Sequence, residues 1–450
     1  MTALGVVITL FCCLSALVVP RRLIILPYII ATLYVTQGQA IEFAGLSLTT
    51  VRLVEIVTAA RLFSTKGLVP FKRNSVDNCI LAFFPTYCLV TLLRTGTVDM
   101  YTFGGMIDSF LVYFSFRAMF ATPTDILDFT RWMALLLVPF TLFMCVEAAR
   151  GRNLFAFMGG VPETPVFREG HYRAQATFRV AITAGSLGAT FFPIFASLFF
   201  RRKEWFYAVT GSLCCVAITI ASHSSGPLMA AVAGAIGWAC WLMRDRMRIV
   251  RLAIVTILVG LHFTMSRPVW FIFDRISGII GGDGWHRSNL IDKFLKNWDE
   301  WILIGMPMER TVDWAATVTK FGFVDVTNYY VSIGISGGLI SFVIFWTLLR
   351  RTFRTVGDAS QVLAQPNSDS DGLRPILWGY GVAVCAHAIN LTAVSYWDQS
   401  YVIWYLHLAI AVSLASSILG RTSNPDDATL PEYLNSNREF ELGGLQGANA

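Results

Sequence analysis

An all-α fold, a polytopic integral membrane bundle of about 12–14 helices with one large outer loop in its second half, is predicted by three features of the chain. Hydrophobic residues make up 55% of the 450 residues and charged residues only 14%, against about 25% charged in soluble domains. Mean hydropathy is +0.58. The apolar residues gather in runs near the roughly 20 residues that cross a bilayer, not in the short alternating strands of a membrane barrel. An ordinary soluble enzyme is excluded. The formal charge of +6 does not point to nucleic acid, because Lys and Arg sit at the ends of apolar runs, where they set topology.

Thirteen apolar segments fall at residues 2–19, 23–36, 45–63, 76–94, 103–121, 131–148, 180–200, 205–222, 227–243, 252–266, 329–349, 376–395 and 401–420. The first lacks a basic leader and is followed by Arg21 and Arg22, so it reads as a membrane helix and not a cleaved signal. The third carries Arg52 and Glu55, three apart and on one helical face, where they can neutralise each other. If the segments alternate, the clusters at 21–22, 72–73, 201–203, 244–251 and 350–351 share one side. The excess of Lys and Arg makes that side cytoplasmic and places the N-terminus outside and the C-terminus inside. Residues 1–420 are then one membrane domain, and 421–450 a polar cytoplasmic tail expected to be disordered. The loop at 350–375 is expected to be a cytoplasmic connector, solvated over 357–372. Two long outer loops remain, 149–179 and 267–328, and loops of such length in a compact fold are usually functional. The nine cysteines lie in apolar stretches without a CxxC pair, so neither disulfides nor a metal site is expected. No internal repeat of the transporter kind is evident.

The first outer loop holds Arg150, Arg152, Arg168, Arg173 and Arg179, on a face where the positive-inside rule predicts few. An anion site accounts for them, since guanidinium forks match phosphate oxygens two at a time; snorkelling to headgroups or pairing with Glu163 and Glu169 accounts for them equally well. The second loop interleaves Arg267, Arg275, Arg287, Lys293, Lys296, Arg310 and Lys320 with acidic residues and with tryptophans at 270, 285, 298, 301 and 314. Tryptophans in such a place suit the membrane interface or stack on sugars. Within the loop, 289–301 spaces Leu290, Phe294, Trp298 and Trp301 as an amphipathic interfacial helix. The Gly281-Gly282-Asp283-Gly284 turn before it presents His286 and Arg287. Inside the apolar segments lie Asp108, Arg117, His262, His387 and His407, candidates for function or for structural pairing. Soluble catalytic signatures and an outer DxD pair are missing, so any chemistry is expected to be metal-independent, without cofactor, and on the outer face.

Four stretches share one order of features: 173–188 (RAQATFRVAITAGSLG), 222–226 (SHSSG), 285–305 (WHRSNLIDKFLKNWDEWILIG) and 325–338 (DVTNYYVSIGISGG). In this the chain resembles the O-antigen polymerase and ligase family, bacterial inner-membrane proteins of about twelve helices with a large periplasmic loop. The spacing from Arg267 to Gly278 also fits an Arg-x10-Gly element of its polymerases. Thr327 stands where the family's ligases carry His, which favours a polymerase of surface or secreted polysaccharide (O-antigen, capsule or exopolysaccharide). The resemblance implies a glycosyltransferase acting on an undecaprenyl-diphosphate-linked oligosaccharide, in the bilayer and alongside other envelope assembly proteins. It implies Arg173 and Arg287 as catalytic stabilisers of the leaving diphosphate, with Arg179 and Arg267 binding substrate. His286 and Asp325 are the nearest candidates for a base, and Asn328 and Tyr329 for orienting sugar hydroxyls. Ligase-type transfer to a lipid or protein acceptor, and transport of a lipid-linked sugar, are the alternatives.

Overall fold

The computed structural model describes residues 1–43, 46–64, 71–97, 100–315, 318–319, 322–366, 368–369 and 371–423. The tail from 424 onward and Lys320 lie outside the described residues. In chain order the helices are α1 (Ala3–Val18), α2 (Ile25–Tyr34), α3 (Thr50–Ser64), α4 (Ser75–Thr95), α5 (Met100–Met119), α6 (Pro123–Arg150), α7 (Ala181–Leu198), α8 (Trp205–Ala221), α9 (Ser225–Ala239), α10 (Met247–Thr264), α11 (Ile272–Ile280), α12 (Gly284–Lys296), α13 (Trp298–Trp301), α14 (Tyr329–Val362), α15 (Arg374–Asn390) and α16 (Gln399–Ser423). Each of the thirteen apolar segments coincides with one of them. Seven helical stretches among the described residues are long and apolar enough to cross a membrane: Ser75–Thr95, Pro123–Arg150, Ala181–Leu198, Arg202–Ala221, Ser225–Thr264, Tyr329–Val362 and Gln399–Arg421. These mark a membrane protein.

Local sequence explains where the long helices begin and end. Asn74 with Asp77 closes a capping box at the start of α4, and Thr122 with Asp125 does so for α6, where Pro123 adds a preset φ. Gly96 (φ +70) and Gly151 (φ +64) stop the same helices in the left-handed conformation that glycine enters without a Cβ clash.

The fold is predominantly helical, as expected of an all-α bundle, with two short hairpins in the connections: β1 (Ala40–Phe43) pairs antiparallel with β2 (Leu46–Thr49), and β3 (Phe167–Arg168) with β4 (His171–Tyr172). Two expectations need correction. The connector expected over 350–375 is helical to Val362, because Thr352, Val356, Ala359 and Ser360 carry a buried stripe onward past Arg350. Polarity on the other face misled the reading. Arg52 does not pair with Glu55 but with Asp108 on α5. The Arg52 side chain leans back toward the start of α3, whereas Glu55 sits a turn deeper and accepts from the Tyr28 hydroxyl at 3.5 Å.

The centre of the bundle is α7, fifteen of whose eighteen residues are buried, packed on α8, α9 and α15. Small residues permit this: a Cβ on Gly188 would overlap the Cys215 carbonyl, and one on Gly211 the Phe195 ring. A second polar centre joins α4, α5 and α16. Arg117 donates to Asp77 at 3.0 and 3.1 Å and to Ser413 at 2.6 Å, and Tyr113 donates to Asp77 at 2.7 Å. By contrast, α10 has no buried residue at all.

The segment 267–328 is folded around its own apolar cluster, which includes Leu290, Phe294, Trp301, Met306 and Trp314. The helix expected over 289–301 begins earlier, at Gly284, where the Asp283 carboxylate accepts the His286 N–H at 3.0 Å, and it breaks at Asn297. Trp301 stacks on Phe294 at 4.0 Å, while Trp298 is exposed.

Candidate functional site

The candidate site is a cavity of about 770 Å³ at one end of the bundle, where five connecting segments meet. From the first loop come Arg168, Glu169, His171, Arg173 and Arg179; from the α8–α9 turn, His223, Ser224 and Ser225. The 281–287 turn adds Gly282, Asp283, His286 and Arg287, and Asp325 and Trp397 complete the rim. Apolar residues of the helix ends, among them Ile182, Ile220 and Leu228, line the deeper wall.

The first loop is held by backbone contacts, which is why arginines far apart in the chain converge. The buried Glu147 carboxylate accepts the N–H groups of Gln175 (3.1 Å) and Ala176 (2.7 Å), and the Ala174 N–H donates to the Ala221 carbonyl at 3.0 Å. The hairpin of β3 and β4 turns through Glu169 (φ +53) and Gly170 (φ +82), the positive pair that suits a two-residue turn. Across from it, Gly281 (φ +77) and Gly282 (φ +94) bring the chain against Ser225, where a Cβ on Gly282 would strike the hydroxyl.

Two serines at the start of α9 then meet two arginines. Ser224 Oγ accepts from Arg173 Nη2 at 3.0 Å, and Ser225 Oγ accepts from Arg287 Nη2 at 3.3 Å. Arg287 is only 8% exposed. Among the described residues no carboxylate lies within ion-pair distance of either guanidinium, although Arg168 pairs with Glu169 and Arg179 with Asp398. Burial, together with the charge of Arg168, pulls Arg173 below the usual guanidinium range, against the neighbouring Glu169. Burial does the same to Arg287; Asp283 opposes it, and Arg168 and Arg173 add to it. Both stay cationic, since a guanidinium is effectively always protonated. Arg173 Nε and Thr327 Oγ1 are buried at the wall without a hydrogen-bond partner. The residues that open α7, α9 and α12 also line the cavity, and helix N-termini carry the partial positive charge that favours anions. The arrangement is chemically an anion site with an unmet charge.

Of the residues singled out in the sequence, Arg173, Arg179, Arg287, His286 and Asp325 all reach this cavity. His286 Nε2 lies 2.9 Å from the Asp325 carbonyl, an acceptor only, so that nitrogen carries the proton. Arg179 meets Asp398 at 3.1 Å and lies over Trp397 at 5.1 Å. Burial lifts the Asp398 carboxyl to about 6, against the pull of Arg179. The structure does not bring Arg267, Asn328 and Tyr329 to the cavity. Arg267 sits over Phe271 beside a separate space of about 440 Å³. Asn328 caps α14 by accepting from Tyr330 and Val331, and Tyr329 packs on Phe345. An Asn immediately before an apolar helix reads as a cap from sequence alone.

Sequence reading missed His171, His223, Trp397 and Asp398. The four non-glycine residues with φ in the left-handed region among those described are Glu169, Ala176, His223 and Asp398. Each lines the cavity, precedes or follows a lining residue, or pairs with one. Residues in such sparsely populated conformations cluster at binding and active sites in proteins generally. No family model matches the chain, and no curated protein matches it in sequence.

Proposed function

We propose that the protein is a glycosyltransferase of the bacterial inner membrane that joins oligosaccharide units carried on a lipid diphosphate, of the undecaprenyl type, into a surface or secreted polysaccharide. The observation that carries this reading is the pair Arg173, half-buried, and Arg287, buried, held on adjacent serine hydroxyls and without carboxylate partners among the described residues. A buried cation left uncompensated costs several kcal/mol, about 3–5 when a partner is missing. A diphosphate meets that deficit, and it gathers further charge as the glycosidic bond breaks. Preplaced guanidinium groups therefore hold the transition state more tightly than the ground state.

The lining segments are those that charge asymmetry in the sequence assigns to the outer face, where a polysaccharide is assembled. The resemblance to O-antigen polymerases supports the same substrate. In this reading the segment 267–328 is the large periplasmic loop, and residues 1–420 form one membrane domain with a cytoplasmic C-terminus.

The test is a deletion strain complemented with wild type, Arg173→Ala, Arg287→Ala or Arg152→Ala at matched membrane levels, with its glycans sized on a gel. Arg152 shares the loop but pairs with Glu163 and does not line the cavity. We expect single repeat units from the first two variants and full-length polymer from the third. Normal polymer from both cavity variants would overturn the proposal. Unchanged polymer length with units left unattached to lipid or protein would shift it to ligation.

A further inference from the structure

The turn that holds Arg173 and Arg287 also carries an imidazole. Ser224 and Ser225 anchor Arg173 and Arg287, and His223 immediately precedes them. The His223 backbone sits at φ +40, a left-handed conformation seen in only a few per cent of non-glycine residues, with His among the enriched types. Its ring lies flat on that of His171, 4.3 Å between centroids and 3° between planes. Both side chains are exposed to the cavity, and neither imidazole has a hydrogen bond within the described chain. Stacking therefore fixes the ring plane and leaves the ring nitrogens free. His286, the other imidazole of the cavity, already spends Nε2 on the Asp325 carbonyl.

We propose that His223 is the general base of the transfer, taking the proton of the acceptor sugar's hydroxyl while Arg173 and Arg287 hold the departing diphosphate. The inference rests on the diphosphate reading given above. The acceptor O–H proton passes to a ring nitrogen of His223, and the oxygen forms the new bond to the anomeric carbon. The bond from that carbon to the diphosphate breaks, its electron pair staying on the phosphate oxygen. The imidazolium then returns its proton to water. A base must be neutral before it acts, and the surroundings keep this one so. Burial, then His171, then Arg173 depress its basicity. The other charged or titratable groups lining the cavity are Arg168, Glu169 and Arg179 from the first loop, Asp283, His286 and Arg287 from the start of α12, and Asp325.

The test uses the full-length protein, wild type, His223→Ala and His223→Gln, added in detergent to membranes of the deletion strain. The lipid-linked units accumulated there serve as donor and acceptor. Polymer growth is followed between about pH 5 and 9, spanning imidazole titration, with and without added imidazole. In parallel, the thermal midpoint of each purified protein is measured with sodium pyrophosphate as probe. We expect both variants to lose about 100-fold or more in rate and to keep the pyrophosphate shift. We also expect imidazole to restore His223→Ala, and the fall in rate at acid pH to vanish in the residual activity of that variant without imidazole. Near-normal rates in His223→Gln would overturn the assignment, as would loss of rate that imidazole does not restore. Absence of a pyrophosphate shift in the wild-type protein would instead overturn the diphosphate reading on which the assignment rests.

Discussion

Arg287 sets function against stability at the scale of one side chain. Its guanidinium is desolvated and touches one hydroxyl, at 3.3 Å. Replacing an uncompensated buried charge by an apolar chain of similar length removes its desolvation cost. Arg287→Met is therefore expected to raise the thermal midpoint of the anion-free protein and to abolish its response to pyrophosphate, both read in one melting series. Asp398 gives a pH signature. Its folded value of about 6 lies above the roughly 3.9 of an unfolded aspartate. Between those values the folded state binds more protons, so stability rises as pH falls through that window, while the ion pair to Arg179 is lost. Relative to Asp398→Asn, the wild-type melting temperature should climb from pH 7 to 5; a flat difference would show that the carboxyl does not titrate there. Sequence reading reached Arg173, Arg179 and Arg287 because arginine is anomalous on the face that the charge rule assigns outside, and reached His286 through the glycine-rich turn before it. His171 and His223 carried no such anomaly, since their value comes from a stacking contact between segments about 50 residues apart.

The elements show where pattern suffices and where packing decides. Apolar runs located thirteen of the helices among the described residues because a run of apolar composition is itself the signal. The ends were harder: α14 runs on to Val362 on the strength of a buried stripe that polar neighbours disguise. Within α14, Gly338 holds φ +65 with its Cα hydrogens against the Leu303 carbonyl. Gly338→Ala should cost about 1–3 kcal/mol through backbone strain alone, measured as a lower thermal midpoint in detergent. Gly357→Ala, at an open helical position of the same element, should be neutral or slightly stabilising. The Asp77–Arg117 centre is the other element-level weak point. Asp77→Asn leaves a buried guanidinium half-matched and should lower the yield of folded protein where α4, α5 and α16 meet.

For the whole molecule, the proposed placing of the cavity on the outer face rests on the distribution of Lys and Arg. Single cysteines placed in a cysteine-free background at Glu163 and Lys203, both exposed, should react differently with an impermeant maleimide. Position 163 should label in cells with a permeabilised outer membrane, and position 203 only after lysis; the reverse pattern would put the cavity in the cytoplasm. The contrast between α7 and α10 reaches further. One is walled in by protein on nearly every face, and the other has no buried residue. Heritable variation should therefore fall unevenly on the two. In a library covering every single substitution, α10 should accept nearly any apolar exchange, its only requirement being solubility in hydrocarbon. In α7, exchanges as mild as Gly188→Ala or Ala189→Val should be lost from the surviving population.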